Sequence, residues 1–466
     1  MLSEKTAARV LAAALETGGD FAEIFYEDTQ TSSLQMLSAR VEEAVAGRDH
    51  GAGIRVFREY GSVYVYTNDT SLEGLLTAAR QAAAAIGSDR AADAVIMLAP
   101  AAIASIHPVR IPPSDVSAMR KAEILRAAYH AAKGYDPSVA QVTATYMDRH
   151  QQVTIANSEG LFVTDERTRV RLGVLAVAGD GRENQSGFNG PGGQMGFEFF
   201  DSHDPAEYGR DAARTAVTML RADLCPAGPM TVAIESGFGG VLFHEACGHA
   251  LEATSVAKGH SVFAGKLGQT IASDVVTAID DATIPGAWGS GNIDDEGTPC
   301  RRNVLIEKGV LKSYLIDRLN GRRMGMASTG SARRQSYAFA PTSRMSNTFI
   351  DAGDSSDEDI IASIASGLYC VKMGGGSVNP LTGSFNFAVS EGYLVKNGKI
   401  DRPVRGATLI GKGEEILRRI DRVGRCVKTG QGMCGSLSGS VPADVGQPLI
   451  RISEIVVGGR QEGAQS

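Results

Sequence analysis

The sequence predicts an α+β protein, with an N-terminal half of helices packed on antiparallel sheet and a second half rich in turns. Three observations predict it. Between Phe21 and Asn68, and again from 138 to 178, apolar residues alternate with polar or small ones, the period of a half-buried strand. Ala/Leu-rich stretches of helical character lie between those runs. Turn residues punctuate the second half, and the 55 glycines follow no three-residue period.

The elements follow in order. Ser3 is placed to cap a helix over 3–17. The pairs Ile24/Tyr26, Ile54/Val56 and Val63/Val65 mark strands, and 71–86 is helical. Pro100, Pro108, Pro112 and Pro113 crowd a segment that can neither continue a helix nor pair centrally in a sheet, so 100–113 is a linker or crossover. A helix over 114–133 precedes strands near 138–146, 151–156, 160–164 and 168–178, and a glycine-rich loop spans Gly187 to Gly196. Asp204 caps the next helix, with Pro205 in its first turn. Leu224-Cys225-Pro226-Ala227-Gly228-Pro229 breaks the pattern, which divides the chain into domains 1–225 and 226–466. Beyond it a strand at 231–235 runs through Gly237, Gly239 and Gly240 into a helix near 239–254. Ser355 and Glu358 form a capping-box signature for a helix ending near Gly367, and Asn397-Gly398 marks a hairpin.

Composition excludes several classes. With 466 residues, 43% hydrophobic and 21% charged, the chain has the usage of an ordered globular protein of two or three domains. No apolar run approaches 18 residues, so no helical membrane span is expected. Met1 to Lys5 lead into a charged helix with no apolar h-region behind them, so no secretory signal is expected. A net charge of −7 disfavours nucleic acid and anionic membranes as partners. The six cysteines form no C-x-x-C pair and read as cytosolic thiols or ligands, which points to the cytoplasm.

The informative hexapeptide is His244-Glu245-Ala246-Cys247-Gly248-His249. Two imidazoles with a carboxylate beside the first are what a zinc hydrolase needs: histidines hold the metal and the glutamate takes a proton from water. Composition alone produces such a pattern at roughly 0.02 per chain. The spacing is five, however, and on a regular helix positions five apart diverge by about 140°. A π-bulge, with Gly248 as the place of distortion, would return both rings to one face. The bland alternative is a helix with one buried and one exposed histidine. Candidates for a third ligand are Cys434, Glu252, His260 and Cys247. Cys247 reads as a small core residue, and Glu252 as an alternative partner for an imidazole N–H. Cys434 sits in Gly430-Gln431-Gly432-Met433-Cys434-Gly435, read as an uncrowded loop able to deliver a thiolate. Two imidazoles and one thiolate would leave a zinc site at net +1, so its water could still be acidified.

The motif is joined by Ile293-Asp294-Asp295-Glu296-Gly297-Thr298-Pro299, Arg333-Arg334-Gln335-Ser336-Tyr337, Arg344-Met345-Ser346-Asn347-Thr348 and Gly374-Gly375-Gly376. Ser390-Glu391-Gly392-Tyr393-Leu394, Gly406-Ala407-Thr408-Leu409-Ile410-Gly411, Met433-Cys434-Gly435 and Val445-Gly446-Gln447-Pro448 follow. In this order the segments resemble the TldD/PmbA family of cytosolic metallopeptidases, specifically its TldD-type, metal-bearing members. The resemblance implies zinc held by His244, His249 and Cys434, with Glu245 as catalytic carboxylate. It implies unfolded or modified peptides as substrates, threaded into an enclosed site. It also implies a two-domain fold, an α+β N-terminal half and a largely antiparallel β C-terminal half that carries the metal-site helix, and a dimer, with a second copy or with a PmbA-type paralogue lacking the ligands. Tyr337 and Arg344 are candidate oxyanion donors against a structural reading of each. The Asp294–Gly297 turn either caps the substrate channel or senses the substrate's amino end, against the bland reading of a solvated turn. Two other classes compete with this one. A non-catalytic subunit should lack a ligand or the glutamate, and this chain keeps all four residues. A regulator binding DNA or a DNA-associated protein finds no support in the scattered arginine pairs 301–302, 322–323, 333–334 and 418–419.

Overall fold

A computed structural model of the chain describes residues 2–87, 95–379 and 382–459, and Met1 lies outside them. The first alternating region builds β1 (Phe21–Leu37), β2 (Arg40–Arg58) and β3 (Gly61–Thr67). β1 and β2 are joined by a two-residue turn in which Ser38 and Ala39 have φ of +49° and +61°, the hand that matches strand twist. Before β1 comes α1 (Glu4–Ala14), whose Thr6 N–H donates to Ser3 Oγ at 3.2 Å. After β3 comes α2 (Leu72–Ile86), capped by Ser71.

The Pro-rich crossover opens with β4 (Ala99–Ala101), which tolerates Pro100 because it forms the sheet's edge. α3 (Ala118–Lys133) leads to β5 (Val139–Asn157) and β6 (Leu161–Gly179). These are two long strands, not the four short ones expected. The charged stretch Asp148–His150 reads as a break, but it is paired on both sides, with Gln30–Ser32 of β1 and Thr168–Val170 of β6, so the ladder runs through. Part of the expected glycine-rich loop is also strand: β7 (Asn184–Asn189) and β8 (Gly192–Gly193) both pair with β6. A single turn α4 (Phe199–Ser202) precedes α5 (Pro205–Leu220), where Ala206 N–H donates to Asp204 Oδ1 at 2.9 Å. The sheet runs β3-β2-β1-β5-β6-β4. Strand alternation gives it two different faces. Ile24 and Ile54 meet α1 and α2, while Val142 and Leu172 meet α3 and α5. On the opposite face Phe25, Val153, Ile155 and Val163 pack against Ile293 and Tyr337 of the second half.

The second half contributes β9 (Asp223–Leu224), β10 (Gly228–Ile234), α6 (Val241–Ala246), α7 (Ala253–Val256), β11 (Ala278–Asp281), β12 (Arg302–Glu307) and β13 (Val310–Leu311). Then come α8 (Arg318–Met324), β14 (Ala332–Arg333), β15 (Thr342–Ser343), β16 (Asn347–Ile350), α9 (Asp357–Ala362), β17 (Ser366–Val378) and β18 (Ser384–Lys396). Last are β19 (Lys399–Arg405), β20 (Thr408–Lys412), α10 (Gly413–Arg419), β21 (Ile420–Val423), β22 (Lys428–Ser436), β23 (Gly439–Gln447) and β24 (Ile450–Gly458). One sheet runs β17-β10-β24-β20-β18-β19-β9 with β21 added on β24, and another runs β13-β12-β11-β16-β23-β22. Pairing is mostly antiparallel; β10–β17, β16–β23 and β9–β19 are parallel. The Asn397-Gly398 turn joins β18 to β19 as expected, with both residues at positive φ. The expected capping box sits one residue along: Ser356, not Ser355, accepts from Asp359 N–H at 3.1 Å, and α9 stops at Ala362.

The solvated reading of the Asp294–Gly297 turn does not hold. Asp294, Asp295 and Glu296 are buried in the seam between the halves. Arg167 Nη1 meets Asp295 Oδ1 at 2.6 Å, Arg55 bridges Glu23 and Glu296, and Arg334 Nη2 meets Glu23 Oε1 at 3.0 Å. These cross-links hold the first-half sheet against the strands that carry the site.

Candidate metal centre

β10 and β17 run parallel at the base of the site, and the chain leaves β10 through Gly237 into a 3-10 turn, Phe238–Gly240, that opens α6. Gly240 lies against β23, and a Cβ there would stand 2.3 Å from Gly446 O. Only a bare backbone permits that approach. α6 carries His244 and Glu245 and ends at Ala246. Cys247, at φ −132° and ψ −45°, leaves helical space, and Gly248–Leu251 continue as a 3-10 turn. This replaces both the single helix over 239–254 and the π-bulge expected from the sequence. The break and the tighter winding that follows turn His249 back toward His244. The two rings lie 5.1 Å apart between centroids at 84°. Gly248 is needed here for packing, since a Cβ would meet Met345 Sδ at 2.1 Å.

Cys434 arrives on β22, a strand and not the flexible loop its glycines suggest; it pairs with Val441 of β23. Its Sγ lies 3.1 Å from His244 Nε2 and 3.3 Å from His249 Nε2. The three donor atoms all fall within 4.8 Å of one another. Of the other third-ligand candidates, Cys247 is a buried core residue and His260 is exposed. Glu252 stands behind the cluster, its Oε1 3.2 Å from His249 Nδ1, where a carboxylate orients a ring. Glu245 is partly open to solvent, with Oε2 3.7 Å from His249 Nε2.

Neither candidate oxyanion donor is free for that role. Arg344 is fully buried and donates to Cys434 O, Ser438 Oγ and Gly439 O, with its Nε 3.7 Å from Glu252 Oε1. It ties the strand of one candidate ligand to the orienting carboxylate of another. Tyr337 donates its hydroxyl to Asp49 Oδ1 at 3.1 Å, away from the cluster. Sequence reading missed the positioning use of Arg344; its adjacency to Met345, the packing partner of Gly248, was the available signal.

The electrostatics suit a cation. Burial raises the Cys434 thiol pKa, but the two imidazoles outweigh it, and the group falls to about 4. Burial lowers His249, and Glu252 with the thiolate reverses this and holds it well above its ordinary value. A thiolate with two imidazoles is a soft, nitrogen-and-sulfur donor set of the kind zinc takes, with room left for a fourth ligand. Zinc bonds of about 2.0–2.3 Å at tetrahedral angles put nitrogen and sulfur about 3.6 Å apart. The observed separations of 3.1 and 3.3 Å are within a small outward adjustment of that.

Known proteins resemble this chain over most of its length. Three family models match: the PmbA/TldA metallopeptidase C-terminal domain over 227–459, the central domain over 111–220 and domain 1 over 22–86. A Haemophilus influenzae protein named metalloprotease TldD homolog is 35% identical, over 94% of this chain and 93% of its own. A Methanothermobacter thermautotrophicus metalloprotease is 36% identical over 96% and 97%. A Saccharolobus solfataricus zinc metalloprotease TldD homolog is 29% identical over 69% and 72%. Among solved structures, a Thermotoga maritima protein superposes with a TM-score of 0.80 at 22% identity, covering 98% of this chain and all of that one. TldE from Thermococcus kodakarensis superposes at 0.76 and 20%, over 95% and 97%. By class the chain is a metallopeptidase. It belongs to the TldD/PmbA family.

Proposed function

We propose that the chain is a zinc-dependent peptidase that hydrolyses unfolded or modified peptides, with His244, His249 and Cys434 as zinc ligands and Glu245 as general base. The observation that carries this reading is the convergence of two Nε2 atoms and one Sγ, with the Glu245 carboxylate 3.7 Å from His249 Nε2. When bound, the metal supplies Lewis acidity toward a carbonyl oxygen and acidifies water. Glu245 accepts the proton of the attacking water and returns it to the leaving amine. Glu252 holds the His249 ring, and Arg344 holds the main chain at Cys434. β22 is the outer strand of its sheet, so an extended peptide laid beside it passes Cys434. Recognition through main chain suits unfolded substrates of varied sequence.

We expect a dimer, with a second copy or a PmbA-type paralogue, as the family resemblance implies. No helix among the described residues is long and apolar enough to cross a membrane, and we place the activity in the cytoplasm. The test is elemental analysis of the purified protein, together with cleavage of a denatured substrate with and without chelator. About one zinc per chain and chelator-sensitive cleavage are expected. A chain that takes up no zinc, or cleaves equally well after chelation, contradicts the reading.

A further inference from the structure

Strand alternation puts Arg167, Arg169 and Arg171 of β6 on one face, toward the second half. Each reaches a main-chain carbonyl there. Arg167 Nη2 donates to Ile293 O at 3.1 Å, and Arg169 donates to Trp288 O at 3.1 Å and Ser290 O at 3.0 Å. Arg171 Nη2 donates to Gln431 O at 3.1 Å, on the strand that carries Cys434. Its guanidinium also stands 5.3 Å from the centre of the Trp288 ring, within cation–π range. Trp288, the chain's one tryptophan, is buried, and its Nε1 donates to Gly432 O at 2.8 Å. Asp444 on β23 closes the arrangement: its Oδ2 accepts from Trp288 N–H at 3.0 Å and its Oδ1 from Gln431 Nε2 at 3.1 Å. Gly192 leaves room for the pair, since a Cβ there would meet Trp288 Cε3 and Arg171 Cγ at 3.1 Å.

β22 needs such support. It is the outer strand of its sheet and contains Gly430, Gly432 and Gly435, which lose more backbone entropy on ordering than other residues and have no side chain to pack. Its ladder is thin next to the candidate ligand. Pro442, opposite Met433, has no N–H to donate. Asp444 N–H, opposite Gln431, points the other way and donates to Ser346 O at 3.0 Å. Gln431 O therefore lies on the free edge of the strand, and Arg171 is the donor that takes it. A metal ligand tolerates little freedom of this kind, because its bond length is fixed to within about 0.2 Å. Arg344 secures the main chain at Cys434 O and beyond. Arg171 and Trp288 secure the approach to it.

We propose that Arg171 and Trp288 are positioning residues of the metal centre, which hold β22 at Gln431 and Gly432 so that Cys434 Sγ stays in place to bind the metal. The proposal rests on the zinc reading of His244, His249 and Cys434. Both side chains act through the strand and not on the metal. Because Arg171 belongs to the first-half sheet, the affinity of a site built entirely from second-half ligands depends on how the first half is docked.

The experiment compares full-length Arg171→Met and Trp288→Phe with wild type. The first keeps an apolar stem over the indole and removes the donor to Gln431 O; the second keeps a ring beside Arg171 and removes the donor to Gly432 O. Zinc affinity is titrated against a chelating indicator. Cobalt(II) is then loaded in place of zinc, so that the thiolate-to-cobalt charge-transfer band reports the bond to sulfur. Each variant should bind zinc about ten-fold more weakly, the low end for loss of a group that orients a ligand, and its charge-transfer band per bound cobalt should weaken. The melting temperature of metal-free Arg171→Met should stay at the wild-type value; where Trp288→Phe melts lower because a buried ring has shrunk, Arg171→Met decides. Wild-type affinity and a wild-type band in Arg171→Met overturn the proposal. So does weaker affinity with an unchanged band and a lowered metal-free melting temperature, which marks structural support alone. A wild-type chain that takes up neither metal, or shows no charge-transfer band, overturns the reading of the three ligands instead, and the positioning role falls with it.

Discussion

At the scale of single residues, the proposed reading gives Glu245 and Cys434 separable duties. Glu245 lies beside the donors without joining them, so Glu245→Ala should keep zinc and fold and lose cleavage by about 10²–10⁴-fold. Cys434→Ala removes the only thiolate, and the purified variant should lose zinc on dialysis under conditions where wild type retains it. Full activity in either variant contradicts its assignment. Glu252→Gln keeps the shape and removes the charge facing His249 Nδ1; zinc titration should show affinity weakened by about 10–100-fold. Most of these residues were readable in advance, because side-chain chemistry at short spacing is a local property. Their partners were harder to see: Arg344 reaches Cys434 O across 90 positions of sequence, and no spacing rule announces such a contact.

At the scale of elements, the candidate metal centre depends on a helix that stops. Six residues of α6 present His244, Cys247 breaks the winding, and the 3-10 turn returns His249 to the same side. The spacing of five had signalled that a regular helix would fail, and a distortion was required. Its type was not legible, since π and 3-10 windings differ by packing outside the segment. Met345 fills the space beside Gly248, so Gly248→Val must displace it. We expect a stability loss of about 1–3 kcal/mol in denaturant unfolding, with weakened zinc binding in the same variant. Undiminished zinc affinity would show that the turn tolerates a side chain. The delivering strand offers a parallel lesson. The glycines of β22 suggested a loop because they lack strand propensity, but Gly430 is there to clear Phe238, whose Cβ would stand 2.7 Å from a Cβ at that position.

At the scale of the whole molecule, the two halves are held by a buried seam. The crossover at 100–113 takes part through His107, whose Nδ1 accepts the Gly286 N–H at 3.1 Å. Burial, and then the nearby Arg169, lower its pKa to about 4. Below about pH 6.5 the unfolded chain binds a proton that the folded chain refuses until about pH 4. Stability from this residue is therefore present at neutral pH and is lost as pH falls through that window. Melting temperatures from pH 7.5 to 4.5 should decline more steeply in wild type than in His107→Gln; parallel curves would remove His107 from the seam.

Local information was enough for the first-half helices and their caps at Ser3 and Asp204, for the hairpin at Asn397-Gly398, and for the carboxylate and imidazoles of the candidate site, because propensity, capping and side-chain chemistry act over a few residues. The family resemblance added Cys434 to that set. Long-range packing decided the rest. It carried β5 and β6 unbroken through a charged stretch, drew the Asp294–Glu296 turn out of solvent into ion pairs with Arg167 and Arg55, and brought one thiolate to two rings about 185 residues away in the chain. Those outcomes depend on which surfaces exclude water from which charges, and that is settled only when distant strands are side by side.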